Sequence, residues 1–138
     1  MNECFSAAAA KHLDDGDLLS QRQRWDNTAY LAGYVVECSL KCVLGAAGLP
    51  PVRFGHDIKS MTYRALSLGL LLSPAACRYT PPGTPEFADI MANWVPDLRY
   101  GPAGSVTATQ ASAWLRAAHG VYQETVVAAI LDGLEDKP

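Results

Sequence analysis

The stretch AYLAGYVVECSLKCVL, residues 29 to 44, is apolar almost throughout, yet it carries Glu37 and Lys41 one helical turn apart. Its residues fall on two adjoining helical seams. Ala29, Gly33, Val36, Leu40, Val43 and Ala47 form one, and Tyr30, Tyr34, Glu37, Lys41 and Leu44 form the other. A helix apolar over two faces belongs either at the centre of its own bundle or against a second subunit. Small residues at Ala32 and Gly33 let a neighbouring helix approach closely. Glu37 and Lys41 stand in the order that suits the helix dipole. Exposed, such a pair is worth about 0.3–0.5 kcal/mol. Buried, it needs further partners to offset desolvation. The pair reads either as a structural ion pair or as the polar floor of a ligand cleft.

The flanking sequence supplies more helices. Phe5, Ala8, Ala9, His12, Gly16 and Leu19 recur at helical spacing and predict a first helix over 3–21. Asp26 or Asn27 is the expected cap of the second, which Gly48 and Pro50-Pro51 stop. Asp57 is the expected cap of a third helix that points Ile58, Met61, Ala65, Leu66 and Leu68 inward. Ser73-Pro74 predicts a brief helix over 74–79, and Thr84-Pro85 opens another to about Trp94. WVPDLRYGPAGS reads as irregular. Thr107 and Gln110 make a capping pattern for a last helix, with Ala111, Trp114, Ala118, Val121, Thr125, Ala128 and Leu131 on one stripe, closed by Gly133. No segment alternates with period two. The expectation is an all-α, up-and-down bundle of four main helices with a short helical insertion, one domain over residues 1–138.

Composition narrows the function. Hydrophobic residues make up 49% of the chain and charged residues 18%, enough for a sizeable core. The net charge of −3 argues against a broad phosphate-binding surface. No basic start followed by an apolar run marks a signal peptide, and Glu37 and Lys41 interrupt the best membrane-span candidate. Cys4, Cys38, Cys42 and Cys77 follow no disulfide or zinc spacing, which predicts reduced thiols, a cytoplasmic location and no metal or other cofactor. Trp25, Trp94 and Trp114 read as core aromatics, with Trp94 also a candidate for stacking a base. His12 reads as a core histidine and His119 as a solvated one.

The string A-x-L-A-G-Y-x-x-E-x-x-L-K resembles the signature helix of the HEPN family, the higher eukaryotes and prokaryotes nucleotide-binding domains. KHLDDGDLL resembles that family's first helix, His56-Asp57-Ile58 the opening of its next helix, and Leu98-Arg99-Tyr100 its Arg-Tyr pair. The likeness runs from about residue 5 to 133. It implies a small helical bundle, commonly a homodimer, often encoded beside a minimal nucleotidyltransferase or found in toxin–antitoxin and defence systems. It also implies metal-independent RNA cleavage by an arginine followed, after four to six residues, by a histidine. There the histidine moves a proton and the arginine stabilises the phosphate transition state.

That motif is absent from this chain. Arg53 stands three residues before His56, Arg116 three before His119, and no arginine precedes His12. Three readings remain open. The first is a non-catalytic binding or regulatory protein, dimeric and associated with a nucleotidyltransferase-like partner. The second is a divergent ribonuclease using His56 and Arg99, which must then converge. The third is a nucleotide-binding module with Lys41 and Arg99 on phosphates. Tyr34, Glu37, Lys41, His56, Arg99 and Tyr100 are the candidate ligand-binding residues.

Overall fold

Thirteen of the 22 residues of one helix are buried, which only a helix surrounded by others can achieve. In the computed structural model, which describes residues 3–49, 54–72, 79 and 81–133, that helix is α2 (Trp25–Ala46). Around it stand α1 (Phe5–Gln21), α3 (Ile58–Leu72), α4 (Pro85–Asn93) and α5 (Ala108–Tyr122). A π-helical turn (Gln123–Val127) joins α5 to the short α6 (Ala128–Leu131). No strand occurs among the described residues, so the chain is all-α. The two-seam pattern is thus consumed inside the chain except at its end, where Ala47 is exposed just past α2. α1 and α5 flank α2 along its length, and α3 and a 3-10 helix (Pro96–Tyr100) complete the enclosure. α2 has the length and hydropathy of a membrane-crossing segment, but 67% of that window is buried in the bundle.

Several local expectations hold for the reasons that produced them. Asp57 caps α3 by accepting from the Ser60 N–H at 2.9 Å and the Ser60 hydroxyl at 2.8 Å. These bonds, the backbone one first, hold its carboxyl below the usual carboxylate range. Thr84 and Thr107 cap α4 and α5 by accepting from Phe87 N–H and Gln110 N–H. Gly48, at φ +83°, ends α2 in the left-handed region.

Others need correction. Asp26 does not cap α2, which starts one residue earlier. Its carboxylate reaches across to the Gly104 N–H at 2.7 Å and the Val106 N–H at 2.8 Å, pinning that loop to the head of α2. WVPDLRYGPAGS is not wholly irregular, because Pro96 opens the 3-10 helix. Leu66 is 38% exposed at the edge of an α3 stripe made by Ile58, Met61, Thr62 and Ala65. Pro50, Pro51, the expected helix over 74–79 (save Tyr79), Cys77 and the side chain of Leu68 lie outside the described residues. The last stripe fails beyond Thr125. The π turn inserts one residue into the helical repeat, so Val126 and Ala129 turn inward while Leu131 is 81% exposed.

The tightest packing is at Gly33. A Cβ there would lie 1.9 Å from Trp94 Nε1, because the indole lies against the α2 backbone and donates to the Tyr30 carbonyl at 3.1 Å. Gly33→Ala is expected to displace Trp94 and cost about 2–3 kcal/mol in urea unfolding, the range for overpacked cores. A cost below about 0.5 kcal/mol would refute this packing account.

Candidate functional site

The site grows from α2. Glu37 and Lys41 are buried, 3% and 8% exposed, and the Lys41 ammonium lies 2.7 Å from Glu37 Oε1. The second oxygen, Oε2, sits 2.8 Å from His56 Nδ1. A carboxylate only accepts, so Nδ1 carries the proton and the ring is oriented by Glu37. His56, on the turn ahead of α3, keeps 53% of its side chain exposed. Lys41 also lies over the Phe5 ring, 5.4 Å from its centroid. The opening pair is therefore a buried three-residue network, with both carboxylate oxygens engaged.

Tyr34, one turn earlier, is an aromatic hub. Its ring centroid lies 5.0 Å from Tyr30, 5.0 Å from Trp94 and 6.0 Å from His56, each edge-to-face, and 5.7 Å from His12 of α1. The Tyr30 hydroxyl donates to the Tyr34 oxygen across a long 3.5 Å. Burial first, then that bond and the nearby Glu37 charge, raise the Tyr34 pKa and keep its phenol neutral. Burial, reinforced by Lys11, lowers the His12 pKa, while Asp15 and Glu37 pull the other way.

The 3-10 helix brings Arg99 to the same face. Its exposed guanidinium sits beside Tyr30 and Tyr100, and these neighbours, Tyr30 first, raise its pKa. It also stacks 4.8 Å from the centroid of the Tyr100 ring, itself 73% exposed. Ring contacts run from His56 through Tyr34 to Tyr30, and Arg99, beside Tyr30 and stacked on Tyr100, joins the same face.

All six candidate residues thus belong to one connected cluster, in two layers. Glu37 and Lys41 form a buried floor, so Lys41 is committed to Glu37 and Phe5 rather than presented to a phosphate. His56, Arg99 and Tyr100 face solvent. Trp94, 4% exposed, packs under Tyr34 and offers no free face to a base. His119 is not simply solvated, since Nε2 lies 2.6 Å from Asp17 Oδ1 across to α1. Among the described residues no group of three or more His, Cys, Asp or Glu side chains could hold a metal ion.

The part played by His12 was missed by periodicity alone, although the hairpin marks it. α1 and α2 run antiparallel about Gln23, and His12 stands eleven residues before it where Tyr34 stands eleven after. No protein-family model, curated protein or solved structure matches the chain.

Two outcomes follow from the buried network. Lys41→Met leaves Glu37 short of a partner and is expected to cost about 3–5 kcal/mol in urea unfolding, whereas Glu37→Leu with Lys41→Met restores most of it. Equal losses in the single and double variants would contradict the ion-pair account. His12 binds its proton less readily folded than unfolded, so stability falls as pH drops below the ordinary value of 6.5. His12→Asn is expected to flatten that part of the Tm–pH curve. An unchanged slope would remove His12 as its source.

Proposed function

We propose that this chain is a HEPN-like binding and regulatory protein that has no ribonuclease motif. It takes the phosphate of a nucleotide or RNA on the strip formed by His56, Tyr34, Tyr30, Arg99 and Tyr100. On this reading it works in the cytoplasm as a homodimer, beside a minimal nucleotidyltransferase-type partner in a toxin–antitoxin or defence-type system. The observation that carries the reading is Arg99. Its guanidinium is solvent-exposed, stacks on the exposed Tyr100 ring with Tyr30 beside it, and has no carboxylate among the neighbours that raise its pKa. A guanidinium suits a phosphate through paired N–H donors, and Tyr100 offers a face for a base. The neutralised Glu37–Lys41 floor removes the anionic charge that would repel such a ligand.

A second reading draws on the Glu37–His56 bond. A half-exposed imidazole oriented by a buried carboxylate is an arrangement suited to general-base chemistry. His56 packs on Tyr34 whereas Arg99 keeps company with Tyr30 and Tyr100, which favours binding over this alternative, because a phosphate transition state needs both groups at once.

The test titrates labelled short RNA and nucleoside triphosphates against wild type and Arg99→Ala. At least a tenfold loss of affinity is expected, on the order of one charged hydrogen bond. Equal binding by the two proteins would defeat the proposal. Incubation with mixed RNA is expected to leave it intact, and cleavage abolished by His56→Ala would put the second reading first. Light scattering is expected to give twice the 14.8 kDa chain mass.

A further inference from the structure

A second feature lies where the 3-10 helix and the loop after it meet the head of α2. They enclose a cavity of about 240 Å³ whose lining is mostly apolar, supplied by Val95, Leu98, Pro102 and Val106. Leu98 and Val106 also pack against the main core, which anchors that wall. The loop side is held as firmly. Asp26 accepts from the Gly104 and Val106 N–H groups, and the Gly101 N–H donates to the Leu98 carbonyl at 3.1 Å, closing the end of the 3-10 helix. The Ser105 hydroxyl donates back to the Pro102 carbonyl. The cavity is therefore built into the fold, and an occupant has little ordering to impose. Its volume falls below the range of about 300–1,000 Å³ that houses drug-sized ligands, so it suits a smaller molecule.

Its electrostatics are one-sided. Asp26 and Asp97 line the cavity, and no lysine, arginine or histidine does so among the described residues. Asp26 is half-buried, and its two backbone donors steady the carboxylate without cancelling its charge. Asp97 is exposed, in the first turn of the 3-10 helix. Among the described residues no cation is paired with either group. Apolar walls draw the body of a ligand out of water, while the carboxylates repel an anion and attract a cation. A bare metal ion gains nothing from such walls, and two carboxylates fall short of the six or more oxygens that calcium takes.

We propose that this cavity binds a small organic cation, a primary ammonium on an apolar alkyl or aryl body. The ammonium pairs with the Asp97 carboxylate, and the Asp26 charge adds to the attraction. The body lies against Val95, Leu98, Pro102 and Val106 and covers Val95, which is otherwise 49% exposed. Leu98 and Gly101, both on the cavity wall, flank Arg99 and Tyr100 in sequence, so the occupant touches the segment that carries the exposed guanidinium. The cavity shares no lining residue with the aromatic strip, and its ligand is independent of whether that strip takes a phosphate.

The experiment titrates the full chain, with no RNA or nucleotide present, with phenethylamine and with hexylamine, following backbone amide shifts by NMR. Phenethyl alcohol serves as the neutral control and phenylacetate as the anionic one. At least one amine is expected to saturate at millimolar concentration, with the largest shifts at Leu98, Gly101, Ser105 and Val106. The alcohol is expected to bind at least fivefold more weakly and the anion not at all. Asp97→Asn is expected to weaken the amine by at least fivefold, on the order of one charged pair, and because Asp97 is exposed the variant should fold as the wild type does. No saturation by either amine, equal binding of amine and alcohol, equal binding by Asp97→Asn, or shifts centred elsewhere would each overturn the proposal.

Discussion

The structure depends on a carboxylate that water does not reach. Glu37 sits in the middle of the most buried helix, where an unpaired charge would cost several kcal/mol. Its two oxygens are met from two directions, by Lys41 of the same helix and by His56 of the turn that starts the next one. This arrangement fixes more than charge. It anchors the entry to α3 against α2 and holds the His56 ring at one angle. It also leaves Tyr34 to pack edge-on against that ring, with Trp94 on its other side. Gly33 is the steric counterpart of the same design, since only the absent side chain lets the indole settle on the α2 backbone.

The helices were legible because their signals are local. Asp57, Thr84 and Thr107 announce their own starts through side chains that bond three residues on, and Gly48 announces an end through its backbone. Asp26 misled for the opposite reason. Nothing in a linear reading separates a carboxylate that caps its own helix from one that reaches a loop 78 residues away. The π turn was equally hidden, because an inserted residue changes the phase of a stripe without changing its composition.

The candidate site was partly legible. Glu37, Lys41 and Tyr34 stood out as polar groups on an apolar helix, and the chain itself brought His56, Arg99 and Tyr100 to them. Their division into a buried floor and an exposed rim could not be read, since spacing gives the face of a helix but not what covers it. Lys41 shows the difference most plainly: its place beside a possible ligand was visible, its commitment to Glu37 was not.

The turn joining α1 to α2 carries a consequence for how this chain can vary. Gln23 adopts φ +57°, a left-handed conformation unusual for a residue with a side chain, and it lies midway between Phe5 and Lys41 and between His12 and Tyr34. Substitution by Gly or Asn would ease that conformation and leave the pairs in place. A single inserted or deleted residue would instead rotate one helix by about 100° relative to the other, the angular step of an α-helix. Phe5 would leave Lys41 and His12 would leave Tyr34 together. Relatives of this chain should therefore keep the number of residues in 22 to 24, and hold position 23 to residues that tolerate the left-handed conformation.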